Sequence, residues 1–240
     1  MKLTITLISD THTKHDEITR DLPGGDLLLF TGDLMNSGRR SDDITEFCKW
    51  FDSLDQYDHK IFIAGNHDRM FEDFPEKAME IVNSYKNIDY LQDDWIEIGT
   101  DQGPNQGMVK IYGAPWQPWF YNWAFNLPRG GTELAAKWEA IPEDTDILLT
   151  HGPAYGFVDT VWNRKHEPLG CELLAERIAV VKPKIHVCGH IHTGYGWQKT
   201  DNTHFFNAAV LDERYEYEQK PMHFVWDSET NEITDFLRED

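Results

Sequence analysis

Cysteine is scarce in this chain: Cys48, Cys171 and Cys188 are the only three in 240 residues. An odd, widely spaced set argues against a disulfide framework, and no pair has zinc-site spacing. Cys188 lies in an apolar run and reads as a small buried hydrophobe. Long apolar runs are missing as well. No stretch approaches the roughly 20 apolar residues that span a bilayer. The N-terminus alternates Thr with aliphatics from Lys2 to Ile8 and then meets Ser9-Asp10, without the apolar core and cleavage site of a signal peptide. A cytoplasmic protein with no membrane partner is expected. Positive charge is also short: 22 Lys and Arg stand against 42 Asp and Glu, a formal net charge of −20. A field of that sign repels long polyanions, so no long nucleic acid is expected as a partner. The acidity itself fits solubility or an unusual ionic environment. A small anionic substrate stays compatible with it, because bound metal charge can outweigh the distant field. Repeats, low-complexity tracts and linkers are absent too, so residues 1–240 are expected to form one domain.

What the chain does have is core-forming mass, with 40% hydrophobic and 13% aromatic residues. That composition excludes a disordered chain. Short β-branched or aliphatic runs recur, each followed by a polar loop: 3–8, 27–30, 60–64, 108–112, 147–150, 185–188, 204–207 and 222–226. Runs of about 4–8 residues of this kind read as buried strands. Helical spacing appears between several of them. Ser41-Asp42-Asp43 is expected to open a helix, with Ser41 as its cap and Ile44, Phe47, Cys48, Phe51 and Leu54 on its apolar face. A second helix is expected over 172–181, with Leu173, Leu174, Ile178 and Val181 inward and Pro183 beyond its end. Alternating strands and helices predict α/β layers with a parallel component. The strand-rich final third adds an antiparallel portion. Residues 101–107 read as a turn between strands. Residues 114–131 read as a long surface loop that gathers Trp116, Trp119, Phe120, Tyr121, Trp123 and Phe125.

Five short motifs each follow an apolar run. They are Asp10-Thr11-His12, Gly32-Asp33, Gly65-Asn66-His67-Asp68, Thr150-His151-Gly152 and Gly189-His190-Ile191-His192. Together they offer carboxylates, imidazoles and one carboxamide but no thiolate, a donor set that suits Mn, Fe, Zn or Ni. Each stands where a strand hands over to a loop, the place where ligands collect in open α/β sheets. On an extended segment Asp10 and His12 point the same way, and so do His190 and His192.

In this order the blocks resemble the calcineurin-like metallophosphoesterase superfamily, over residues 10 to 192. The stretches around His151-Gly152-Pro153, 188–196 and 122–130 are similar to its metallophosphoesterase-domain branch, whose activity is on phosphodiesters, cyclic nucleotides included. The resemblance implies an α/β, four-layer αββα sandwich with mixed sheets and a site at the sheet edge. It implies two divalent or trivalent transition-metal ions (Mn, Fe, Ni or Zn, with Mn favoured). Asp10, His12 and His192 would hold one ion, Asn66, His151 and His190 the other, and Asp33 would bridge. Hydrolysis would proceed by attack of a metal-bound hydroxide on a small phosphodiester. His67 would be the general acid, and Asp68 a carboxylate that orients it. Two ions about 3.5–4 Å apart clamp both oxygens of an in-line displacement and lower the pKa of a bound water from 15.7 to about 7.

Other residues stay open between two readings. Asn36 either binds a phosphate oxygen or a metal-bound water, or it is a turn residue. Arg69 either contacts phosphate or caps a helix. His15 either lines the pocket or is structural, while His59, His166, His186, His204 and His223 read as structural or surface residues. In the aromatic loop, Trp116, Trp119, Phe120 or Trp123 either stacks on a nucleobase, with Trp116 taken as the substrate contact, or plugs the sheet edge. Monoester hydrolysis, nuclease action and a non-catalytic metal-bound scaffold are the alternatives to a phosphodiesterase.

Overall fold

A computed structural model of the protein describes residues 1–99, 107–161 and 167–237. Residues 101–106 of the expected turn, and His166, lie outside the described residues. One sheet contains β1 (Lys2–Ile8), β2 (Gly25–Phe30), β3 (Tyr57–Phe62), β4 (Asp89–Tyr90), β13 (Met222–Asp227) and β14 (Glu232–Leu237), in the order β14-β13-β1-β2-β3-β4. The other contains β5 (Asp94–Gly99), β6 (Met108–Ala114), β9 (Ile147–Thr150), β10 (Ile185–Cys188), β11 (Gly196–Lys199) and β12 (His204–Asn207), in the order β11-β12-β10-β9-β6-β5. Each sheet has a parallel centre with antiparallel strands beside it: β13 runs against β1 and β14, β11 against β12, and β5 against β6, while β4 extends the first sheet in parallel at its other edge.

The central strands are mostly apolar on both faces because both faces are covered. In β2, Leu27 and Leu29 face the second sheet, where Ile111, Ile147, Leu149 and Val187 meet them, with Ile61 of β3 beside them. The alternate residues Leu28 and Phe30 face outward. There they pack under Ile44, Phe47 and Phe51 of α2 (Ser41–Asp52), Phe71 of α3 (Arg69–Asp73) and Ala78 of α4 (Pro75–Val82). On the far side Leu148 and Phe205 pack under Leu134 and Trp138 of α5 (Thr132–Glu139) and Leu174 and Ile178 of α6 (Glu172–Val181). Three apolar layers therefore separate four layers of secondary structure, the α-β-β-α sandwich. A fully buried side chain such as Leu29 contributes about 1.5–3 kcal/mol to it.

All eight expected strands are present, along with the 172–181 helix. Among the described residues six strands are additional, and all six are short or on a sheet edge, where the apolar signal is weakest. Ser41 is the first residue of α2, not its cap: Arg40 precedes it, and no side chain caps that end. Residues 114–131 are not a surface loop throughout. They contain β7 (Gln117–Pro118) paired with β8 (Asn126–Leu127), and Ala124 and Phe125 are fully buried. The remaining short helix, α1 (His15–Ile18), buries His15 against Phe47 and Trp50 of α2, so His15 belongs to the core and not to the pocket. His186, His204 and His223 bond to Thr150, the Asn231 carbonyl and Thr6 respectively, as structural residues. No helix among the described residues is long and apolar enough to cross a membrane.

Candidate metal centre

The five motifs converge where the parallel strands end. The convergence does not come from extended backbone. Asp10, His12, Asp33 and His190 all take left-handed φ angles, of 55°, 41°, 58° and 66°. Such angles are uncommon outside glycine and cluster at functional sites. The chain leaves each strand, turns sharply and points a donor back toward the sheet ends. The expectation that residues two apart point together therefore fails for His190 and His192. The His190 ring lies 5.1 Å from that of His151, whereas His192 joins Asp10 and His12. Glycines make the close approach possible. A Cβ on Gly65 would stand 2.3 Å from Asp33 Oδ1, and one on Gly189 would stand 2.0 Å from Asp10 Oδ2.

Asp33 is buried at the centre. Its Oδ2 lies 3.7 Å from His12 Nε2 and its Oδ1 lies 3.4 Å from His151 Nε2. His151 Nε2 also meets Asn66 Oδ1 at 2.8 Å. On the other side His192 Nε2 stands 3.4 Å from Asp10 Oδ1. Donor atoms of Asp10, His12 and His192 lie within 4.8 Å of one another, and the same holds for Asp10, Asp33 and His151.

The imidazoles are held in one tautomer. Nδ1 of His12, His67, His151 and His192 meets the backbone carbonyl of Met35, Asn36, Thr31 and Asp212 respectively, at 3.1, 2.5, 2.9 and 2.8 Å. A carbonyl only accepts, so each Nδ1 carries a proton, and Nε2 of each ring is the atom turned toward the cluster. Outer-shell bonds of this kind orient metal-ligating histidines. Nε2 of His12 is buried without a partner, a lone pair aimed into the cluster with nothing to receive it. The donor set and its orientation fit metal ions of the kind that nitrogen and oxygen ligands hold.

The electrostatics agree. Burial drives His12 down to about 4 and His190 down to about 3, so both are neutral donors at neutral pH. Burial also opposes charge on His151 and His192, but the Asp33 carboxylate for the first and Asp10 for the second hold them up to about 9. Despite burial, Asp33 and Asp10 are held below the usual carboxylate range by those same imidazoles. The two carboxylates thus attract positive charge into a buried place, and protons on His151 and His192 are what a bound cation would displace.

Four expected site residues do something else. Asp68 does not orient His67: its buried carboxylate accepts from the amides of Asp33, Leu34, Met35 and Gly65 at 2.7–3.3 Å. It fixes the loop that carries Asp33. Burial, and then the Asp33 charge, push its carboxyl up to about 8 against the pull of those amides. Asn36 has an exposed side chain and contributes its backbone carbonyl, which is what orients His67. Arg69 is spent on the Asn122 carbonyl and Asp73 and does not line the pocket. Trp116 is a structural residue: its Nε1–H donates to Asp93 at 2.7 Å, Lys137 Nζ lies 4.1 Å over its ring, and it packs on Phe125.

A cavity of about 480 Å³ opens over the cluster. Its floor includes His12, Asp33, Asn66, His67, His190 and His192, and its walls include Pro118, Trp119, Phe120, Leu169 and Tyr215. Two contacts of the cluster lie outside the five motifs, and only Trp123 of the two stands among the aromatic candidates. Tyr215 sets its ring edge-on to His12 at 4.6 Å, from a left-handed φ of 62°. Trp123 stacks on His67 at 4.0 Å with 22° between the rings.

The chain belongs to the calcineurin-like phosphoesterase family, whose model matches residues 3–194. Family and donor cluster together make it a metal-binding phosphoesterase. It is 40% identical over 229 residues to metallophosphoesterase domain-containing protein 1 of Homo sapiens, and equally to that of Mus musculus, covering 90% of this chain and 68% of each relative. Among solved structures it is similar to TT1561 of Thermus thermophilus, with a TM-score of 0.63 at 15% identity and 98% of both chains covered. GAP50 of Plasmodium gives a TM-score of 0.53 at 9% identity, covering 99% of this chain and 88% of that one. At such identities the likeness is one of fold.

Proposed function

We propose that the protein is a dinuclear metal-dependent phosphodiesterase acting on small phosphodiesters, cyclic nucleotides among them. The observation that carries this is the Asp33 carboxylate, whose two oxygens face two separate donor sets. Asp10, His12 and His192 would hold one ion and Asn66, His151 and His190 the other, with Asp33 shared. Bound ions, with Mn²⁺ the favoured occupant, would supply Lewis acidity and activate the water nucleophile. His67 lies beside His12 and Asp33, its Nδ1–H committed to the Asn36 carbonyl and its Nε2 left to face the leaving oxygen. As the attacking oxygen bonds to phosphorus and the ester P–O bond breaks, the leaving oxygen takes the Nε2 proton, and His67 is left neutral.

The walls favour a diester over a polyanion. Arg129 is a pocket-lining cation, but its guanidinium is engaged by Glu172 and the Leu169 and Gly170 carbonyls. Trp119, Phe120 and Pro118 offer apolar surface to an organic group instead. The protein loaded with Mn²⁺ should turn over bis-p-nitrophenyl phosphate and 2′,3′- or 3′,5′-cyclic nucleotides faster than p-nitrophenyl phosphate. Preference for the monoester would overturn the reading.

A further inference from the structure

The segment 122–125 is fastened to the segment that carries His67. Ala124 N–H donates to the Asn66 carbonyl at 3.0 Å, next to His67 itself. Arg69 donates to the Asn122 carbonyl, and Phe125 N–H donates to Glu72 Oε1 at 3.1 Å. Asn126 Nδ2 holds the carbonyls of Phe120, Tyr121 and Trp123 at 3.0–3.1 Å. Phe125 and Ala124 are buried beneath. Trp123, between these anchors, lays its ring on the face of His67. A second ring contact is that of His12, edge-on to His67 at 4.7 Å.

A histidine bonded only through Nδ1 can still swing its plane about that bond, which sweeps Nε2 away from its target. The Nδ1 bond to Asn36 fixes one direction in the ring plane, and the Trp123 face fixes the plane itself. We propose that Trp123 is a positioning residue for catalysis: docked by hydrogen bonds on the 66–72 segment, it holds the His67 ring so that Nε2 meets the leaving oxygen. This rests on the reading of His67 as the general acid. It assigns Trp123 to the acid and not to a nucleobase, and it gives Arg69 a purpose, as an anchor of this segment.

Two diesters without a nucleobase separate the possibilities: bis-p-nitrophenyl phosphate, whose leaving group needs little protonation, and diphenyl phosphate, whose leaving group needs more. General acid catalysis contributes about 10²–10⁴-fold. Trp123→Ala, and Trp123→Leu in case the alanine variant does not fold, should lower kcat on diphenyl phosphate about 10-fold or more. On the nitrophenyl ester the loss should be under about 3-fold, with metal content unchanged. Trp123→Phe, which keeps a flat face, should restore most of the loss. In metal-free protein labelled with ¹³C-histidine, the His67 Cε1–H resonance should lie upfield under the indole ring and move downfield in Trp123→Ala. Equal losses on both esters, loss of metal, or an unshifted His67 resonance would overturn the proposal. His67→Ala is the control on the underlying reading: if it too costs the two esters equally, His67 is not the acid. If His67→Ala is selective and the Trp123 variants are not, the acid stands and the positioning role falls.

Discussion

Asp33 reaches His12 with one carboxylate oxygen and His151 with the other, at 3.7 and 3.4 Å. A carboxylate divided in this way serves two donor sets at once. Asp33→Asn keeps the shape but removes the charge that both sets need. The variant should bind fewer than two ions after dialysis with Mn²⁺, and a chelator that abolishes turnover of the parent should leave it nothing further to lose. Two ions retained with full turnover would rule out a shared ligand.

Gly189 offers a test of close approach. A Cβ there would stand 2.0 Å from Asp10 Oδ2 and 2.2 Å from Ser9 Oγ. Gly189→Ala should displace the Asp10 carboxylate and weaken metal binding, measured by titration calorimetry, while the far-UV spectrum stays that of the parent. Unchanged affinity would mean that the loop yields more readily than its packing indicates.

The aromatic segment should divide into two behaviours. Trp116 is tied to Asp93 and Lys137, and Phe125 is fully buried. Alanine at either position should lower stability by up to about 3–5 kcal/mol and depress every substrate alike. Trp119 is 62% exposed and Phe120 43% exposed at the pocket wall. Alanine there should leave the melting temperature in place and weaken cyclic-nucleotide hydrolysis about 10–100-fold, the loss of a stacked base. Urea melts and parallel assays with bis-p-nitrophenyl phosphate distinguish the two groups.

His186 sets a pH dependence of stability. Its Nε2–H donates to Thr150 Oγ1 at 2.8 Å, its Nδ1 is buried without a partner, and burial holds it down to about 3. The neutral form is the folded form. The stability tied to it is complete above the unfolded value of 6.5 and is lost as pH falls from there toward 3, at up to about 1.4 kcal/mol per pH unit. In His186→Phe, stability measured by urea melts should fall less steeply below pH 6.5 than in the parent. Equal slopes would show that acid sensitivity resides elsewhere.

Much of the fold was legible because the central strands are short, apolar on both faces and followed by polar loops, a local pattern that needs no partner to be seen. The edge strands β4, β7, β8 and β11 escaped it, since half-exposed or two-residue segments carry little apolar periodicity. The donor residues were legible because carboxylates, imidazoles and glycines recur at strand ends. Their geometry was not. Residues two apart on an extended strand would point together, yet His190 and His192 diverge, because a left-handed turn at His190 is paid for by bonds such as His190 N–H to Asp10. Asp68 reads locally as a neighbour of His67, but its oxygens go to amides of the chain about 30 residues earlier. Trp123 was legible only as one aromatic of a crowded segment and Tyr215 not at all, since their meaning lies in a ring brought alongside from elsewhere in the chain. Local composition and spacing determined which elements form and which residues carry chemistry. Only tertiary packing decided which lone pair faces which, because orientation is set by hydrogen bonds between segments that the sequence keeps far apart.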